Sequence, residues 1–167
     1  DTSTCEETPC SEKSDKPDKL FIDSNCDGID GDISKSIFVD KVYGSNLNDG
    51  SMNSPVYSIS KGIHLAEANA KTDVLISGGS YTETVTLVSG ISIYGGYSGK
   101  PEWFRDALFE VVINGGGKAV IAENISNVTV SGLKVNSQSV TEDGESSYGI
   151  FISNSSAIIL EKLEVSA

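Results

Sequence analysis

The residues best placed to do chemistry lie close together: Asp23, Asn25, Asp27, Asp30 and Asp32, in the stretch DSNCDGIDGD. Side-chain oxygens at the first, third and fifth positions of a loop aim alternate side chains at one centre, and the glycine that follows them, Gly28, permits the sharp turn beneath it. Ile29 then offers its carbonyl. This is the first half of a loop for a hard cation, and calcium is the ion it suits. The second half departs from the pattern, because Ser34 stands where a bidentate carboxylate is needed; Asp30 and Asp32 are the available substitutes. An acidic, glycine-bearing surface turn is the rival reading. We take the metal set as Asp23, Asn25, Asp27, Ile29, Asp30 and Asp32, with Ca2+ in a structural role.

Other candidates are weaker. Asn46, Asn48, Asp49 and Gly50 carry fewer charges and no later acid at a suitable spacing, which reads as an ordinary turn. His64 is the one histidine and sits beside a helical stripe, without a second soft ligand near it in sequence. Cys5, Cys10 and Cys26 lie in a polar region with no core of its own, where a disulfide is a useful staple; this points to an oxidising compartment. Three is an odd number, and the spacing does not suit zinc. The Asn-x-Ser/Thr triplets at Asn124, Asn127 and Asn154 match glycosylation acceptors, but the two that fall on a sequence repeat, Asn124 and Asn154, are better read as turn residues.

Charge limits the partners. With 24 acidic against 12 basic residues the chain carries a net charge of −12, which repels nucleic acid and anionic membrane. No apolar run reaches the ~20 residues of a membrane span. We expect a secreted or cell-surface protein whose signal peptide has been removed.

The elements that must position these residues change character along the chain. Residues 1–22 read as a polar leader and 23–36 as the calcium-loop-like segment. Residues 37–167 read as one folded unit, opening with the strand-like IFVDKVY and a helix over about 58–70, capped by Ser58, with Ile59, Ile63, Ala66 and Ala70 as its apolar stripe. From Thr72 onward short β-branched runs alternate with Gly, Ser and Asn. A repeat runs through them: VIAENISNVTVSGLKV (120–135) aligns without gaps on IFISNSSAIILEKLEV (150–165), 30 residues on. Val128 falls on Ile158, Val130 on Leu160, Leu133 on Leu163 and Asn124 on Asn154. Stacked parallel strands ~4.8 Å apart place like residue on like, so the repeat predicts apolar columns and an asparagine ladder.

The succession of DxNCDGxDG, a strand, an NDG loop, a capped helix, DVLISGGSYTETVTLVSGISIYGGY and a turn around Trp103 resembles secreted bacterial right-handed β-helix repeat proteins of the pectin-lyase-like fold. The resemblance covers residues 23–167. It implies an all-β right-handed parallel β-helix, a solenoid with one N-terminal capping α-helix and a polar, loop-like leader. The loop itself is partly similar to the calcium repeats of thrombospondin-like and dockerin-like modules. Enzymes on such coils need convergent acids with a basic residue, or two or three carboxylates on one face. Here Glu123, Glu161 and Glu164 fall in different columns, Lys134 and Lys162 form no such motif with them, and Arg105 and Asp106 beside Trp103 are explained by packing. The expectation is a non-catalytic scaffold, an adhesin or assembly subunit, stabilised by calcium. It meets further coils or another subunit at its C-terminal end. The alternatives are the N-terminal part of a polysaccharide lyase or hydrolase, and a carbohydrate-binding module using Tyr81, Tyr94, Tyr97 and Trp103.

Overall fold

The structure is a computed structural model that describes residues 14–140 and 146–167. Cys5, Cys10, the first part of the expected leader and part of the polar excursion near residue 140 lie outside the described residues. The β-branched run SIFV forms β1 (Ser36–Val39). After a loop come α1 (Ile59–Ala68), β2 (Asp73–Ser77), β3 (Gly79–Tyr81), β4 (Val85–Thr86) and β5 (Ser92–Tyr97). They are followed by β6 (Val111–Asn114), β7 (Lys118–Glu123), β8 (Ser126–Asn136), β9 (Tyr148–Ser153) and β10 (Ser156–Ser166).

All the strand pairs are parallel. One sheet has the order β1-β2-β5-β8-β6-β3, with β10 joined to β8; the other has the order β4-β7-β9. The long strand β8 organises the first. Val130 in its first half faces Ile93 of β5, Val135 in its second half faces Ile113 of β6, and the opposite edge is paired along its length with β10.

Between the sheets lies the main core, in which Ile37, Val39, Val74, Ile93, Val130 and Val135 meet Val85, Val120 and Ala122. Outside the large sheet lies a second cluster of Ile29, Phe38, Leu75, Tyr94, Tyr97 and Trp103. The large sheet is therefore buried on both faces over β1, β2 and β5, which is why β1 and β2 read as continuous apolar runs, whereas β6 and β8 alternate.

The all-β right-handed solenoid expected from the sequence is corrected by this arrangement. The chain is a mixed α/β assembly, mostly parallel sheet, shaped as a half-barrel with one helix. Two findings overturn the regular coil. First, the spacing of facing residues is not constant: Ile37 lies opposite Val74, Val74 opposite Ile93, Ile93 opposite Val130, and Val130 opposite Leu160. The 30-residue repeat holds only for β7 with β9 and β8 with β10. Second, α1 is an integral wall of the core, packed through Ile59, Gly62, Ile63 and Ala66.

That helix is shorter than the apolar stripe implied. Ser58 accepts from the amide of Lys61 as its cap, and Glu83 adds a second clamp, one carboxylate oxygen accepting from the amide of Ile59 and the other from the amide and hydroxyl of Ser60. A carboxylate there also meets the positive end of the helix dipole. Ala70, expected on the stripe, is exposed beyond the end with φ of 53°. Gly62 is dictated by packing: a Cβ there would come within 2.6 Å of Val39 and 3.0 Å of Val74.

Candidate functional sites

The acidic loop folds as a set of side-chain-to-backbone turns. Asp23 accepts from the amides of Asp27 and Gly28 at 3.2 and 2.8 Å, Asn25 Oδ1 accepts from the amide of Asp27, and Asp27 accepts from the amides of Ile29 and Ile33. Short polar side chains compete well for nearby backbone donors, and Gly28, at φ of 104°, supplies the turn. Asp23, Asn25 and Asp27 thus share one small volume, with the Asn25 amide donating to Asp27 at 3.1 Å.

Asp30 and Asp32 are committed elsewhere. Asp30 accepts from the amide of Asp18 and pairs with Arg105 at 2.9 Å, both side chains sealed from solvent. Asp32 caps the short 3-10 turn Ile33–Lys35, accepting from the amide and hydroxyl of Ser34, and its other oxygen lies 3.3 Å from Lys35 Nζ. Burial pushes the Asp32 carboxyl up, but these hydrogen bonds and Lys35 outweigh it and leave it below the ordinary range. Ile29 is buried in the outer cluster. Among the described residues no three His, Cys, Asp or Glu side chains converge as a ligand set. Of the six residues, the structure brings Asp23, Asn25 and Asp27 together and engages the side chains of Asp30 and Asp32 elsewhere.

The loop belongs to a longer strap. Residues 14–32 cross the outer face of the large sheet. Asp15 gathers the amides of Ser24 and Gly31, Tyr97 donates to the carbonyl of Asp30 at 2.6 Å, and Arg105 donates to the carbonyl of Asp18. Farther along, Lys19 pairs with Glu161, and Lys162 donates to the carbonyl of Lys19. Cys26 is disulfide-bonded.

The aromatics considered for stacking on a sugar are spent on packing. Tyr81, Tyr94, Tyr97 and Trp103 are all buried, and Trp103 meets Phe38 edge to face at 4.8 Å while its indole N–H donates to the carbonyl of Met52. His64 is exposed on α1 and belongs to no group of three His, Cys, Asp or Glu side chains among the described residues. Asn124, Asn127 and Asn154 all adopt positive φ, Asn124 and Asn154 at bends between strands and Asn127 near the start of β8, and Asn154 donates to Asn124 at 2.6 Å.

A second site gathers residues considered for catalysis from the sequence and set aside there, Arg105, Asp106, Lys134, Lys162 and Glu164. Where β2 meets β5 the register slips, and Gly95 and Gly96 form a bulge. Gly132 of β8 lies against it with φ of 73°, and Lys162, 30 positions on, repeats the left-handed conformation at 49°. These aligned irregularities bend the sheet and open a groove of about 210 Å3 walled by Phe21, Phe109, Lys134 and Glu164. Lys134 lies 2.7 Å from Glu110 and 3.3 Å from Glu164. Lys134 and Glu164 face each other in the β8–β10 register, so the repeat already contained this pair. Set aside in the sequence as forming no catalytic motif, Lys134 and Glu164 are a cross-strand ion pair in the structure. The two carboxylates, Glu110 first, raise the Lys134 ammonium above its usual range. It stands as a cation, not as a proton acceptor.

No family profile matches the sequence, and no solved structure matches it. The chain is similar to the uncharacterized protein YwoF of Bacillus subtilis (strain 168), 30% identical over 129 residues that make up 71% of this chain and 26% of that protein. It spans about a quarter of the length of this relative.

Proposed function

We propose that the chain is a non-catalytic extracellular or cell-surface scaffold unit, an adhesin or assembly subunit, whose β9 and β10 edges receive further parallel strands of a longer polypeptide. The observation that carries this reading is the contrast between the two ends of the sheets. At one end α1 and the loop 50–56 close the structure, with Phe38 donating to Gly50 and accepting from Val56 across the edge of β1. At the other, β10 runs 11 residues paired only to β8 among the described strands, and leaves Ile159, Leu160 and Val165 exposed beside Ile152 of β9. A long apolar edge with unpaired donors and acceptors is a template for another strand. A relative of which this stretch is 26% supports a source for such strands. The disulfide at Cys26 supports an oxidising location.

Calcium enters this reading as a brace for the strap, held by Asp23, Asn25 and Asp27. Left without its added strands, the β10 edge pairs with a second copy. Sedimentation should show concentration-dependent association, and the pair Ile159→Lys and Leu160→Lys should abolish it. A chain that stays monomeric up to about 1 mM, with β10 amides exchanging no faster than those of β8, removes the reading.

A further inference from the structure

We infer that the edge formed by β10 and the bend at Asn154 selects its incoming strand by side-chain chemistry. It takes a parallel strand of the same polypeptide that brings hydrogen-bond donors, a base among them, and a glycine or asparagine at a fixed place. The inference rests on the scaffold reading and names the partner which that edge receives.

The polar columns of this edge run one way. Asn114 donates to Ser80 at 2.8 Å, Asn136 to Asn114 at 3.0 Å, and the Ser166 hydroxyl to Asn136 at 2.7 Å. Asn154 likewise donates to Asn124 at 2.6 Å. Each strand spends its donors on the strand before it, so the last members, Ser166 and Asn154, keep acceptor oxygens for the strand that follows. A hydroxyl has a single proton, and that of Ser166 is committed to Asn136.

Charge follows the same rule. Signs alternate from Glu110 to Lys134 to Glu164, and the Glu164 side chain, 3.3 Å from Lys134 on one side, is 74% exposed. The other acid of β10, Glu161, is met by Lys19 of the strap at 3.2 Å. Glu164 is therefore the acid that a new strand must answer, and a base continues the alternation. Opposite charges and hydrogen-bonding pairs on facing strands stabilise a sheet, and like charges destabilise it.

The backbone adds a constraint of its own. Left-handed residues recur 30 positions apart: Asn124 and Asn154 at φ of 55° and 46°, Asn127 and Ala157 at 60° and 52°, Gly132 and Lys162 at 73° and 49°. A parallel strand stays hydrogen-bonded only if it bends where its neighbour bends. Ile158, Leu160, Leu163 and Val165 accordingly face Val128, Val130, Leu133 and Val135, with the same interruption at the bend. A further strand inherits this spacing, and glycine or asparagine meets the left-handed place opposite Lys162 at least cost. The β8 sequence SNVTVSGLKVN (Ser126–Asn136) fulfils these conditions, since it sets Lys134 against Glu164, Asn136 against Ser166 and Gly132 at the bend. The partner is a strand of that type.

The test is fluorescence anisotropy of labelled peptides titrated with the intact chain. The peptide SNVTVSGLKVN should bind. Replacing its lysine by glutamate should weaken binding at least about threefold, and replacing its glycine by valine, which resists the left-handed conformation, at least about tenfold. Glu164→Lys alters an exposed pair whose loss costs the fold little, and it should reverse the preference in favour of the glutamate peptide. Equal binding of the three peptides, or a preference that Glu164→Lys leaves unchanged, overturns the inference while the edge reading stands. Binding by none of them at about 1 mM removes both.

Discussion

Asp30 and Arg105 lie 75 residues apart in the chain and 2.9 Å apart in the fold, the guanidinium Nη1 donating to the carboxylate with both side chains 1% exposed. Burial pushes the Asp30 carboxyl above its ordinary range even with Arg105 beside it, so desolvation consumes much of the attraction. Removing one partner leaves the other charge buried alone. Asp30→Ala should cost about 3–5 kcal/mol in urea unfolding. Asp30→Leu combined with Arg105→Met should cost less than either change by itself, and a double-mutant cycle measures the difference.

Asp73 makes a prediction about pH. Burial raises its carboxyl above the usual range, and the hydroxyl of Thr72 only partly offsets this. The folded state therefore holds the proton more tightly than the unfolded chain does. The resulting penalty is absent at low pH and grows as pH rises through the window between the ordinary and the raised value. Asp73→Asn, which is neutral throughout and still accepts from Thr72, should be more stable than the native chain at pH 7. The gap should close as pH falls below the ordinary carboxylate range. Unfolding midpoints at pH 7 and in dilute acid give the comparison, and an unchanged gap contradicts the assignment.

Gly62 tests packing against propensity. On helix propensity alone Gly62→Ala gains about 1 kcal/mol. A methyl group 2.6 Å from Val39 Cγ2 forces the strand and helix apart. We expect a net loss of about 1–3 kcal/mol, read from denaturant unfolding.

Glu83 should matter to the helix well beyond an ordinary surface acid. It satisfies the amides of Ile59 and Ser60 at 2.9 Å each, and Glu83→Ala frees both. A loss of about 1–2 kcal/mol is expected, within the range of a good N-cap, with faster hydrogen exchange confined to the first turn of α1.

The calcium proposal divides the acidic residues. Excess calcium should raise the melting midpoint over that in chelator, by about 2.7 kcal/mol at a hundredfold excess over Kd. Asp27→Ala should abolish the difference. Asp32→Ala should lower both midpoints yet preserve it, because Asp32 acts on Ser34 and Lys35.

What the sequence made legible was local. The repeat at residues 120–135 and 150–165 predicts the pairing of Val128 with Ile158 and of Leu133 with Leu163, because side chains of stacked strands must match. Ser58 marks the start of α1 by its capping chemistry. What stayed hidden depends on distant partners. Nothing near Asp30 in the chain announces Arg105, so a carboxylate spent inside the fold looks the same in sequence as one offered to a metal. The irregular spacing between β1, β2 and β5 carries no repeat, and projecting the later regularity backward gave a coil where the chain builds a half-barrel with α1 as a wall. The groove arises from two glycines and a lysine in left-handed conformations on three strands, and residue type alone does not announce a lysine there.

The strap has a consequence for the time course of folding. Lys19 rests on Glu161, and Lys162 on the carbonyl of Lys19, so a segment synthesised early finds its last partners in a strand synthesised late. Closing so long a loop is slow, because its entropy is lost before any contact rewards it. The middle of the strap has partners in Tyr97 and Arg105 as soon as those are made, so during translation it is the Lys19 end alone that waits until β10 has aligned on β8.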